Sequence, residues 1–444
     1  MDNLLIKNGK YYKSGDLIQG NILISQGKIA GIGKSAEKSK NIQQINAKGM
    51  LVLPGGIDPH VHLHLPTPAG YSSDEFDTGS RAAIAGGTTS FIDFVTPLRG
   101  QSLIDALHLR RKEAEKSQCD VKFHVSPVEW TTNTEQEIIH CICNEDIRSF
   151  KVYMAYHSTI GLSDEDIFKV MKVVGKHGGI VTMHCEIDET IEKLRAKFIS
   201  ESKRSSKYHP LSRPNAVEAE AVKKAIELAE KAECPLYIVH VSTHESLDYI
   251  AKAQAKGQAV YAETCPQYLL LDDSLYNQPF DKSCAYIMSP PLRKKEDQEV
   301  LWQAIDDGII QTIGTDHCPF TLEQKRKGIN DFTKIPNGAG GIEHRLSLLY
   351  TYGVLKNRIS LKKFAEVTST NPAKIFGLFP QKGSISEGSH ADLVIWNPTA
   401  KQTISAKTHH QNCDMNIYEG FEITGKPLIT IVKGEVKWNT DDAD

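Results

Sequence analysis

Six side chains stand out by type and by place. His60 and His62 are one residue apart in GGIDPHVHLHLP, and Lys151 interrupts the apolar run SFKVYMAY. His184 lies near the end of GIVTMHC, His240 near the end of PLYIVHVS, and Asp316 near the end of QTIGTDH. In an extended segment residues i and i+2 point to the same side, so His60 and His62 can share one ion. Imidazole and carboxylate donors suit zinc or a similar divalent cation, and such ions acidify water for attack on a carbonyl. One H-x-H pair is a weak signal, and a lone histidine at a strand end is more often a satisfied polar group. The weight comes from all of these residues falling at the ends of successive apolar runs.

Lys151 is the odd member. A lysine inside an apolar strand buries an ammonium, which is costly without a partner. It either reaches the rim or a carboxylate, or two nearby cations hold its amine neutral. A neutral amine can take up carbon dioxide as a carbamate, whose two oxygens could bridge two metals. The residues alone show only a buried-looking lysine.

The elements that must position these groups alternate. Apolar runs recur at MLVLPGGIDPHVH, TSFIDFV, DVKFHVS, SFKVYMAY, GIVTMHC, PLYIVHVS, QAVYAETCP and QTIGTDH. Stretches of helical period lie between them, such as DEDIFKVMKVVGKHG and AVEAEAVKKAIELAEKAE. Continuous apolar strands signal burial on both faces and hence a parallel sheet. Eight β/α units fit a (β/α)8 TIM barrel, in which strand carboxyl ends converge on one face; a doubly wound open sheet fits the alternation nearly as well. The two ends of the chain differ from the middle, with short β-rich stretches broken by glycine, as in GNILISQGKIAGIG and ITGKPLITIVKGEVKW. The expected organisation is α/β: a small β-sandwich built from residues 1–50 and 380–444, and a barrel over 51–379.

Bulk properties exclude several classes. The 444 residues are 40% hydrophobic and 24% charged with a formal net charge of −3, and no strong basic patch favours nucleic acid. The N-terminus MDNLLIKNGKYYKSGDLI lacks the pattern of a secretory signal, and no run of about 18 apolar residues could span a membrane. The nine scattered cysteines form no paired framework. The expectation is a cytoplasmic protein with reduced thiols.

With these residues in place the chain resembles the cyclic amidohydrolases, and within them the D-hydantoinase/dihydropyrimidinase family. The similarity runs through DEFDTGSRAAIAGGTTSFIDF, LSRPNAVEAEA, YAETCPQYLLL, YIMSPPLR, GTDHCPF, IPNGAGGIEHRL and KTHHQNCDMNIYEG. It implies two zinc ions, with His60, His62 and Asp316 on the first, His184 and His240 on the second, and N6-carboxylated Lys151 bridging them with a hydroxide. It further implies that Tyr156 hydrogen-bonds the tetrahedral oxyanion, that the main chain of Ser289 and Asn337 contacts the ring's amide groups, and that Asp316 shuttles the proton. A hydantoin or dihydropyrimidine would open to an N-carbamoyl amino acid.

Several features depart from the pattern. His64 stands where dihydroorotases usually carry an arginine for a substrate carboxylate, which favours an uncharged ring; His64 itself reads as a pocket-wall residue, with a third ligand role as the alternative. His157 follows Tyr156 where relatives often have lysine. Cys318 and Cys185 read as packing. The ending NTDDAD is short for a family whose tail embraces a neighbouring subunit, so a homotetramer is expected and a dimer is the alternative. Allantoinase or dihydroorotase activity would use the same centre, and non-catalytic scaffold relatives have lost ligands that are all present here.

Overall fold

The computed structural model describes residues 3–13, 15–38 and 42–440, so the tail at 441–444 lies outside the described residues. Eight parallel strands pair in chain order: Gly56–Val61, Thr88–Val95, Asp120–Val125, Ser149–Tyr153, Ile180–His184, Leu236–Ile238, Val260–Thr264 and Thr312–Ile313. A doubly wound sheet would reverse its strand order at a switch point, and no reversal occurs here. That separates the two architectures left open by the apolar runs, and the fold is a TIM barrel. The second and fourth strands are buried at every position, so their apolar side chains pack on both faces and their few polar ones, Asp93 and Lys151 among them, are buried as well.

The outer helices follow from local chemistry. In Asp164–Lys176, Ser163 accepts the Asp166 N–H as a cap and three acids occupy the first turn. Ile167, Val170, Met171 and Val174 form the buried stripe at helical spacing. No helix among the described residues is long and apolar enough to cross a membrane.

The first and eighth strands are the edges of the sheet, and the seam between them is closed largely by side chains. Val61 pairs with His317 in a single parallel bridge. Asp58 accepts from the Thr315 N–H at 3.1 Å and its hydroxyl at 2.6 Å. Arg345 is fully buried and donates from Nη1 to Ile57 O and Ile313 O, both at 2.8 Å, one on each side of the seam. Its Nε lies 3.9 Å from Asp58, whose carboxyl burial pushes up and Arg345 pulls down. Arg345→Met is expected to cost about 3–5 kcal/mol, because it strands Asp58 as an uncompensated buried charge. Urea unfolding of the variant checks this, and an unchanged midpoint would contradict the role.

Both chain ends contribute to a second eight-stranded sheet, wrapped around its own core of residues such as Ile6, Ile22, Val52, Leu393 and Ile431. The sequence expectation placed residue 51 at the start of the barrel. Instead Leu51–Pro54 pairs antiparallel with Leu393–Thr403 in the terminal sheet. The break was hidden because Leu51–Pro54 and Gly56–Val61 are each buried throughout, giving one continuous apolar run. The chain passes between the sheets at Gly55, where a Cβ would lie 2.2 Å from Thr89 Oγ1.

Candidate metal centre

The carboxyl ends of the barrel strands bring the expected ligands together. His60 Nε2 lies 3.2 Å from His62 Nε2 and 3.1 Å from Asp316 Oδ1, and His62 Nε2 lies 3.2 Å from the same oxygen. On the opposite side His184 Nδ1 and His240 Nε2 are 2.9 Å apart. The rings of His60 and His240 stack with centroids 5.4 Å apart, so the two groups are neighbours. Lys151 is buried, with Nζ 5.1 Å from the centre of the Phe94 ring and 5.0 Å from that of Tyr153. Among the described residues it has no ion-pair partner. Three site residues, Tyr156 (φ 65°), His240 (φ 41°) and Asp316 (φ 52°), sit in the left-handed region that non-glycine residues rarely adopt. Such strain is held only where the surroundings over-determine it.

This donor set fits divalent cations. His60 Nδ1 lies 2.7 Å from buried Glu263, so its proton sits there and its Nε2 lone pair faces the cluster. His184 Nε2 lies 2.9 Å from Glu186, which likewise leaves Nδ1 as a lone-pair donor. Nε2 of His60 and Nδ1 of His184 thus face the cluster, where a bound cation would take the place of the extra proton that His60 holds without one. Burial pulls His62 down to about 4 and holds His184 and His240 below the ordinary histidine value. For His60 burial is outweighed by Glu263 and Asp316, and its pKa rises to about 9 without a metal. Burial pulls Lys151 down to about 8, toward the neutral amine that a carbamate requires.

Glu263, Glu186 and Arg213 were missed in the sequence. Glu263 holds His60 and also accepts from Tyr237 Oη at 2.7 Å and from the His240 N–H at 3.2 Å. Glu186 pairs with the guanidinium of Arg213, which lies 5.6 Å from the centre of the Tyr156 ring. One buried ion pair thus touches both His184 and the Tyr156 ring. The available signal was an acid inside or beside an apolar strand, in YAETCP and MHCEI.

Tyr156, Ser289 and Asn337 line the same cavity as the histidines, Lys151 and Asp316, with a volume of about 710 Å3. Its remaining lining mixes apolar side chains, including Leu65, Pro68, Leu98, Ile160 and Ile335, with polar ones such as Thr67, Lys327 and Lys334. The Tyr156 N–H donates to Asp188 at 2.6 Å, and its ring lies 5.3 Å from that of His184. Burial, opposed by Arg213, raises the Tyr156 phenol, so it stays a protonated donor. His64 does not line the cavity, contrary to expectation. It stacks on Tyr71 at 4.1 Å, because its backbone also enters the left-handed region (φ 47°) and turns the ring outward. His157 is half-exposed beside Asp188, and Cys318 is buried in the cavity wall.

Comparison with known proteins agrees with this geometry. The amidohydrolase family model matches residues 51–437. The chain is 42% identical to a D-hydantoinase of Geobacillus stearothermophilus, over 97% of this chain and 92% of the relative. It is 37% identical to a dihydropyrimidinase of Dictyostelium discoideum, over 98% of this chain and 87% of the relative. The crystal structure of a dihydropyrimidinase from Brevibacillus agri superposes with a TM-score of 0.96 at 40% identity, covering 98% of this chain and 95% of that one. Strand order, the converging donors and full-length similarity agree, and the chain belongs to the amidohydrolase family, in its D-hydantoinase/dihydropyrimidinase branch.

Proposed function

We propose that the chain hydrolyses the amide bond of a small cyclic substrate, a hydantoin or a 5,6-dihydropyrimidine, to the open N-carbamoyl amino acid. The observation that carries this is the convergence of two histidine pairs, Lys151 and Asp316 beside Tyr156 in one cavity. In this reading His60, His62 and Asp316 would hold one divalent ion, His184 and His240 would hold a second, and N6-carboxylated Lys151 would supply oxygen ligands to both. Zinc is the metal proposed. When bound, such ions lower the pKa of water and polarise a carbonyl.

The chain's own groups do the rest. The main chain of Ser289 and Asn337 registers the ring's amide groups. Tyr156 Oη donates to the carbonyl oxygen as negative charge develops there. Water adds at the carbonyl carbon, the ring C–N bond breaks, and the proton lost by water passes through Asp316 to the departing nitrogen. The apolar part of the lining, Leu65, Pro68, Leu98, Ile160 and Ile335, faces whatever substituent the ring carries.

Tyr156→Phe keeps the ring packed on His184 and removes only the donor. It is expected to lower kcat by about 10^2–10^3-fold, with KM less affected; steady-state kinetics at saturating substrate measures this, and an unchanged kcat would remove Tyr156 from the mechanism. The substrate reading is tested by opening rates for hydantoin, a 5-aryl hydantoin, dihydrouracil, allantoin and dihydroorotate, compared side by side. Dominance of dihydroorotate would overturn it. The residues 1–50 with 380–444 and the barrel 51–379 are proposed as two units, supported by their separate sheets, with Leu51–Pro54 crossing the boundary. A cytoplasmic homotetramer completes the reading, and sedimentation gives the subunit number.

A further inference from the structure

Lys325 is the most unusual buried cation outside the metal centre. It lies on the short helix Leu322–Arg326, is 1% exposed, and pairs with no carboxylate among the described residues. All three of its ammonium donors are used on main-chain carbonyls: Ile287 O at 3.0 Å, Pro336 O at 2.7 Å and Gly338 O at 2.8 Å. These carbonyls belong to the two segments that carry Ser289 and Asn337. A buried ammonium without a counter-ion is costly, and burial pulls this one down to about 8. A fold that only needed packing here would be served by an apolar side chain.

Peptide geometry shows what the lysine achieves. In a planar trans peptide the C=O and N–H point in opposite directions, so anchoring one aims the other. The carbonyl of Pro336 and the N–H of Asn337 belong to the same peptide group. With Pro336 O held on Lys325, the Asn337 N–H faces away from the lysine, and its donor strength is raised by the charge on its carbonyl. The next peptide is fixed in the same way, because the Gly338 N–H donates to Ile287 O at 2.9 Å. On the facing segment, His209 Nε2 lies 2.7 Å from Met288 O and so aims the Ser289 N–H. Among the described residues the main chains of Ser289 and Asn337 have no hydrogen-bond partner, and both residues line the cavity.

We propose that Lys325 is a positioning residue for substrate recognition, which holds the 336–338 loop against the 287–289 segment so that the Asn337 N–H meets a carbonyl oxygen of a cyclic amide. This rests on the ring-opening reading above. Contacts to ring groups that do not change during the reaction stabilise ground and transition states alike, so their loss raises KM and spares kcat.

The test is steady-state kinetics of Lys325→Met, Lys325→Gln and Lys325→Arg in the metal-loaded enzyme, with metal content and melting temperature measured on each. The expected result for Lys325→Met is a KM increase of about tenfold or more, on the scale of one lost charge-assisted hydrogen bond. Its kcat and metal content should stay close to wild type, and Lys325→Arg should restore part of the KM. Unchanged KM in a folded Lys325→Met overturns the proposal, as does a loss confined to kcat. Failure of all three variants to fold would assign the lysine to stability alone and overturn it too. A wild-type chain that opens none of the rings would instead refute the ring-opening reading, so the two failures are distinguishable.

Discussion

Asp316→Asn is expected to give a folded, partly metal-loaded protein that has lost turnover by about 10^2–10^4-fold, the range for losing a positioned general acid–base. Burial alone would raise the Asp316 carboxyl, but His60 and His62 outweigh it and hold it well below the usual range, so it is an ionised proton acceptor at neutral pH. Asparagine keeps the size and one acceptor oxygen but cannot take a proton. It also suits the backbone, since Asp316 sits at φ 52°, where Asn and Asp are the best-tolerated residues after glycine. Misfolding is therefore not the expected cause of the loss. Kinetics at saturating substrate, paired with metal analysis of the same sample, checks both halves. Near-normal kcat in the variant would sink the proton-carrier role.

The second large effect is at Lys151. Lys151→Met removes a buried amine that lies over the faces of Phe94 and Tyr153 and has no ion-pair partner among the described residues, and replaces it with an apolar chain of similar length. Metal-free stability should hold or rise, because no buried cation remains to be desolvated. Activity should fall by about 100-fold or more, since even outer partners of metal ligands cost 10–100-fold when removed. Metal content should fall with it. Native mass spectrometry of the wild type should show the added mass of carbon dioxide, lost in the variant. A Met variant that keeps its metal and its rate would place the lysine outside the centre.

The residues that could be read along the chain are those whose signal is local. The second and fourth strands announce themselves because burial on both faces favours apolar residues, and His60, His62, Lys151, His184, His240 and Asp316 are conspicuous as reactive types within or just beyond such strands. Their partners are not local. Glu263 reads as one acid in YAETCP until the fold sets it 2.7 Å from His60. Lys325 reads as a surface lysine in a polar run, EQKRK, and only tertiary structure buries it beneath three carbonyls. His64 shows the converse, since it reads as a pocket-wall histidine in H-V-H-L-H and instead stacks on Tyr71 from a left-handed turn. Leu51–Pro54 pairs in the terminal sheet, which its apolar run does not announce, because such a run does not say which sheet buries it.

The seam of the barrel has a consequence for how the enzyme comes into being. Asp58 and Thr315 are 257 positions apart, and the same first and last strands deliver His60, His62 and Asp316. A ribosome releases the two histidines when most of the protein is still unmade, and they must wait for the last strand before their carboxylate exists. Closure of the barrel and completion of the active site are thus one event in time. A chain that ends before the eighth strand can hold neither, so in the proposed reading hydrolysis is withheld until the ring of strands is whole.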